Sequence, residues 1–181
     1  MSRFYIPLDK ITGTKILPDF SPISSIDNYG LYYAFNRCTG LTGRISFPNL
    51  TTIGDHGLHY AFYNCSGLTG SISFPNLTSI GNSGLYYAFY NCTGLTGSIS
   101  FPSLTSIGEY GLYNVFNNCT GLAGNISFPR LNLIGVSGLQ NVFYNCTGIT
   151  EVHFKSSLSG NSECTSSKMG CPNATIYFDL P

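Results

Sequence analysis

The chain has 181 residues and a mass of 19.6 kDa, which sets the scale at one domain. Hydrophobic residues reach 43%, enough for a core, but charged residues are only 9%, and eight Lys+Arg balance eight Asp+Glu. That balance excludes a nucleic-acid binder, which needs a basic footprint, and an electrostatically held membrane protein; with 14% aromatics it also excludes a disordered chain.

The first residues, Met1 to Lys10, lack the basic end and apolar run of a secretory signal, and no stretch approaches a membrane helix. The expectation is that the protein stays where it is made, or that an export signal lies outside this sequence. Residues 1–25 are read as an N-terminal cap and partial repeat; in this part of the chain the repeat unit is matched only at Phe20, Ile23 and Ile26. Residues 26–154 then repeat. Cys38, Cys65, Cys92, Cys119 and Cys146 are spaced 27 apart, as are Phe35 to Phe143 and Gly30 to Gly138. A fixed period over five copies means stacked coils, each contacting its neighbours.

Within the third copy, Leu85, Ala88, Phe89 and Cys92 fall at i, i+3, i+4 and i+7, which predicts a helix of about two turns with one apolar face. Gly94 is placed to end it in the left-handed conformation. Ile99-Ser100-Phe101 then alternates as a short strand, Pro102 closes it, and Leu104 and Ile107 turn back inward. Strand on one side and helix on the other is the layout of a leucine-rich-repeat coil, whose period runs 20 to 29. The predicted fold is therefore an α/β leucine-rich-repeat solenoid of about five coils, with one continuous parallel sheet and short helices opposite. After Ile149 the pattern loses one residue. Residues 155–181 are read as a C-terminal cap, sealed by a strand over Ala174 to Phe178.

The run Ala-Phe-x-x-Cys-Thr-Gly-Leu, with Ile-Ser-Phe-Pro and Leu-Thr-Ser-Ile-Gly after it, resembles the BspA-like leucine-rich repeats from about Ile23 to Phe154. The resemblance implies a bacterial cell-surface protein that adheres to host or matrix proteins. Two features depart from the pattern. Gly43, Gly70, Gly97 and Gly124 look like additions before the strand, and Leu50, Leu77, Leu104 and Leu131 stand where an asparagine ladder is usual.

The cysteine ladder reads as core filling, because a buried free thiol behaves as a small hydrophobe and stacked side chains miss a disulfide's dihedral. Cys164 and Cys171 lie outside the repeat and remain open: a disulfide in an exported protein, or a reduced pair in an intracellular one. His56 and His59, three apart, read as surface variation, since other copies carry Ser, Tyr or Gln there. His153 is expected to point outward. The glycines fit turns and no phosphate loop. Asn64, Asn91, Asn118 and Asn145 stand in glycosylation sequons but fit stacked amides better. No nucleophile–base pair, cofactor site or metal-ligand set emerges, so a non-enzyme is expected.

Two faces compete for binding. The outward positions of the predicted helices carry Tyr32, Tyr33, Tyr60, Tyr63, Tyr86, Tyr87, Tyr90, Tyr113 and Tyr144, with Asn36, Asn114, Asn117, Gln140 and Asn141 beside them. Tyrosine gives large rigid contact area with a hydroxyl to bond, and its faces suit sugars; the competing reading is that the rings pack between coils and roof the core. The sheet face offers Arg44, Ser46, Ser73, Ser100 and Ser127, flat and small, suited to multivalent contact. The expected function is a non-enzymatic adhesion module for a protein or glycan ligand, host or matrix molecules included, secreted or at the cell surface, without nucleic-acid binding or membrane insertion. The alternative is a self-associating structural unit of a surface appendage or phage-tail-like particle.

Overall fold

The computed structural model describes residues 15–181; the earlier part of the N-terminal segment, 1–14, lies outside the described residues. Among the described residues twelve strands run in chain order: β1 Lys15–Ile16, β2 Ser25–Ile26, β3 Leu41–Thr42, β4 Thr52–Ile53, β5 Gly70–Ser73, β6 Ser79–Ile80, β7 Leu95–Ser100, β8 Ser106–Ile107, β9 Ala123–Phe128, β10 Leu133–Ile134, β11 Gly148–Lys155 and β12 Thr175–Leu180. Every pairing is parallel and links successive coils. The solenoid inferred from the period is the fold observed.

Its walls differ from expectation. The predicted strand side is not one continuous sheet: β1–β3, β5–β7 and β9–β11–β12 are separate sheets, joined by single bridges such as Ser46 to Ser73. The added glycines explain the breaks. Gly43, Gly70, Gly97 and Gly124 take φ of 77–109°, and a bulge comes next, since Gly70 faces Leu95 while Ile72 faces Ile99. The residue lost after Ile149 appears as a register shift between Ile149 and Glu151. The continuous ladder is instead β2-β4-β6-β8-β10, five two-residue strands around the inward isoleucines.

No helix forms on the opposite side. Among the described residues the one α-helix is Ser166–Met169, after the repeats. In the third coil Ser83, Tyr87 and Asn91 take φ of 51°, 53° and 57°, and every other coil repeats these left-handed positions four residues apart. The amides of Ser83, Leu85, Tyr87, Phe89 and Asn91 donate across to Glu109, Gly111, Tyr113, Val115 and Asn117 of the next coil at 2.7–3.0 Å. The alternate amides, Gly84 to Cys92, donate back three residues. The segment is a chain of turns knitted sideways like a sheet. Its period is four, so Leu85/Phe89 and Ala88/Cys92 still face inward and are fully buried, which is why the sequence resembles a helix.

Gly94 is likewise not a left-handed cap. A Cβ there would lie 2.4 Å from the Leu68 carbonyl oxygen of the preceding coil, so it is glycine because two backbones meet. The core is built of columns. Phe35, Phe62, Phe89, Phe116 and Phe143 stack at 5.0–6.2 Å with planes within 7°, and a second column runs from Phe20 through Phe47, Phe74, Phe101, Phe128 and Phe154 to Phe178. The cysteines of the repeat are buried too. The thiols of Cys65, Cys92, Cys119 and Cys146 each donate to the carbonyl of the preceding coil's Phe at 2.9–3.0 Å, and burial pushes Cys65 and Cys146 up to about 12. They are protonated, inert filling. Cys164 and Cys171 are buried free thiols.

An asparagine-type ladder does exist, at a position the repeat did not suggest. The side chains of Asn28, Asp55 and Asn82 accept the amides of Asp55, Asn82 and Glu109 at 2.7–2.9 Å. Past the last coil the sideways amides need new acceptors. Glu163 supplies two: its carboxylate accepts from Ser137 N at 3.1 Å and Leu139 N at 3.4 Å, with Lys168 Nζ 3.4 Å away. The carbonyls of Lys168 and Met169 take the amides of Asn141 and Phe143.

Two stability changes test this description. Gly94→Ala should lower unfolding free energy by about 1–3 kcal/mol through backbone crowding, read by urea denaturation. Glu163→Gln should cost about 1–3 kcal/mol and, more tellingly, speed hydrogen exchange at Ser137 and Leu139 while leaving Ser83 and Leu85 protected.

Candidate recognition surface

The left-handed turn chain fixes where the tyrosines sit. Aromatic rings at equivalent outward positions stack on one another from coil to coil, at a spacing the inter-coil hydrogen bonds set. Tyr33, Tyr60 and Tyr87 form one column, with ring centroids 4.8 and 5.0 Å apart and planes within 12°. Tyr32, His59, Tyr86 and Tyr113 form a second at 4.8–5.0 Å. Tyr63 and Tyr90 make a third at 4.9 Å. Tilted contacts such as Tyr86–Tyr87 at 4.8 Å join the columns into one aromatic layer.

The rings therefore do pack between coils. Tyr60 and Tyr86 have both faces covered, and only their edges are left for contact. Stacking of a sugar ring on those faces is ruled out. Tyr32 and Tyr33 are 44% and 43% exposed, and Tyr144, set apart from the columns, is 53% exposed; the central rings are half-buried. Burial, then the neighbouring phenols, raises the Tyr87 hydroxyl to about 12 and shifts Tyr60, Tyr86 and Tyr33 in the same direction. These phenols stay neutral donors across the physiological range.

The layer is bounded. Asn114 and Asn117 interrupt the first and third columns, and they are buried, 3% and 9% exposed, not outward as expected. The Asn117 amide donates to Asn114 Oδ1, while Asn117 Oδ1 has no hydrogen-bond partner among the described residues. Gln140 and Asn141 are half-buried, and so is Asn36. Beyond the columns, Asn91 donates to Asn64 and Asn145 to Asn118, each at 2.9 Å, so the sequon asparagines are the stacked amides expected. Tyr29 and Tyr110, overlooked in the sequence, are exposed parts of the same surface. Their signal was their place four residues before Tyr33 and Asn114.

The histidines belong to this layer. His59 lies between Tyr32 and Tyr86 as a ring in their column, and His56 stacks on Tyr29 at 4.8 Å. Burial, reinforced by His56, lowers His59 to about 4. His153 lies between Asp179 at 3.0 Å and Glu151 at 3.3 Å and stacks on Tyr177; its hydrogen bond to Asp179 raises its pKa.

The sheet face carries Ser46, Ser73 and Ser100 in register across successive coils, with Ser127 opposite His153. Arg44 Nε donates to the Ser71 carbonyl at 3.2 Å, which lays the arginine along its neighbour. Apart from Arg44, these side chains are small. The structure does not join it to the tyrosine layer, and Cys164 and Cys171 belong to neither.

The profile of the BspA type leucine rich repeat region, in six copies, matches residues 58–169, more than half of the chain. The chain belongs to this family. Its architecture agrees with the crystal structure of the T. pallidum leucine rich repeat protein TpLRR, at 26% identity, with 92% of this chain and 69% of that one covered and a TM-score of 0.57. A leucine-rich repeat protein of Bacteroides ovatus ATCC 8483 aligns at 18% identity over 91% of this chain and 60% of its own, with a TM-score of 0.23 too low to bear on the fold. No curated protein matches. BspA-type repeats are generally non-catalytic interaction scaffolds and often surface-associated or secreted. No helix of the described residues is long and apolar enough to cross a membrane.

The depressed His59 pKa has a definite sign. The unfolded chain takes up a proton near 6.5 and the folded one only near 4, so this residue's contribution is full above about 6.5 and fades as pH falls toward 4. His153, raised, contributes in the opposite sense and is lost as pH rises. Urea midpoints between pH 4 and 7 should therefore climb less steeply in His59→Tyr than in the parent.

Proposed function

We propose that the chain is a non-enzymatic recognition module that binds a protein or glycan through the tyrosine layer, using ring edges and phenol hydroxyls, and that it works in an extracellular or cell-surface setting. The observation that carries this reading is the bounded aromatic patch of the first coils. Natural positions that only roof a core need no hydroxyl; phenylalanine would stack equally well. The repeat does use phenylalanine inside, at Phe35 to Phe143, and tyrosine or histidine outside. Rigid rings with few rotatable bonds also lose little entropy on binding.

The sheet face has fewer anchors for a tight interface, which favours aromatic and arginine side chains. Arg44 alone is of that type among Arg44, Ser46, Ser73, Ser100 and Ser127, and it is already engaged with Ser71.

The test is a screen of immobilised extracellular proteins and glycans, and then two sets of variants. Replacing Tyr86, Tyr87 and Tyr90 together by Phe keeps the stacking and removes the hydroxyls; binding of the captured ligand should weaken by about tenfold or more, and the Ala triple variant should abolish it. A ligand unaffected by the Phe triple variant but lost on Ser73→Lys plus Ser100→Lys would move recognition to the sheet face.

A further inference from the structure

We propose that His56 and His59 form a zinc-binding site on the tyrosine layer, with their Nδ1 atoms as two ligands of a tetrahedral ion. Spacing alone does not bring the two ring nitrogens together; the observed geometry does. The two Nδ1 atoms face each other at 3.3 Å. Zn–N bonds of about 2.0–2.1 Å meeting at a tetrahedral angle hold their nitrogens roughly 3.3 Å apart. A right-angled, octahedral or square-planar arrangement would need them nearer 2.9 Å at such bond lengths.

The rings are also held in place. Stacking on Tyr29 fixes His56, and Tyr32 and Tyr86 clamp His59 from both faces. A ligand pair oriented by its surroundings loses less entropy on capturing an ion. Both imidazoles must be neutral to coordinate. Without metal, the short contact is an N–H···N hydrogen bond from one ring to the other. Binding therefore requires both rings in the Nε2–H form, a shift of one proton within a ring and no net release.

No third His, Cys, Asp or Glu among the described residues completes the set. The remaining positions fall to water or to a group from a docked molecule, so the ion would add a Lewis-acidic anchor to a surface made mostly of neutral phenols and amides. This inference does not depend on the tyrosines being the binding face.

Titration calorimetry with zinc chloride, paired with NMR of the histidine ring protons, tests it. His56→Tyr and His59→Tyr restore rings that Tyr29, Tyr32 and Tyr86 already place at those positions, so the fold is preserved and is checked by its melting curve. The parent should bind one zinc with shifts at His56 and His59, and each variant should bind at least about tenfold more weakly; His153→Gln should leave binding unchanged. Absence of zinc binding by the parent would overturn the site. So would full affinity in His59→Tyr, or loss only in His153→Gln, which would put the ion between Glu151 and Asp179.

Discussion

The sideways hydrogen bond from an amide in one coil to a carbonyl 26 residues later, as from Leu85 to Gly111 and Phe89 to Val115, is the constraint on which the molecule is built. It acts on the side where a helix would otherwise close its bonds locally. By directing alternate amides outward to the next coil, it obliges every fourth residue to take the left-handed conformation, at a cost of about 1–2 kcal/mol for a non-glycine. The neighbouring coil returns that cost in hydrogen bonds and ring contacts. A single coil would have neither, so no coil is stable alone. The same constraint creates the problem at the end of the stack that Glu163 and the carbonyls of Lys168 and Met169 solve.

Stacking at a fixed step also explains the scarcity of charge. Equivalent side chains lie about 5 Å apart, as the tyrosine centroids show, and a column of like charges at that spacing would be repulsive. Neutral groups gain instead: Thr78 and Thr105 hydroxyls bond the preceding coil, the sequon amides bond in pairs, and phenols stack. The charges present in the repeats are kept from stacking on their like by neutral neighbours in the column. Asp55 stands between Asn28 and Asn82, and Arg44 begins a column that continues as Ser71 and Ser98. Composition is thus a consequence of architecture.

Much of this was legible in the sequence. The period, the buried columns, the protonated thiols and the side on which the tyrosines gather are all dictated by residues recurring at 27. The absence of a helix was not legible, because inward residues at i, i+3, i+4 and i+7 satisfy a period of four as well as one of 3.6. The distinguishing signal was Asn64, Asn91, Asn118 and Asn145, since asparagine is enriched at left-handed positions. The ladder of Asn28, Asp55 and Asn82 was hidden because its members differ in type. Glu163 was hidden for a different reason: it acts once, and periodicity reveals only what is repeated. The stacking of the tyrosines could be guessed, but the covering of their faces needed coordinates.

A perfectly regular surface would present the same chemistry at every coil, so a ligand fitted to one coil would fit the next equally well and slide along the axis. Position along the stack can be read only from departures: the two histidines in the second coil, the asparagines that end the tyrosine columns in the fourth, and Arg44 at the start of a serine row. On the proposed function, affinity comes from the repeated rings and hydroxyls, while register comes from those exceptions. His56 and His59 are then the most informative departure. They keep the stacking the scaffold needs and change only the chemistry it displays, which is how a repeat acquires a particular site without losing its fold.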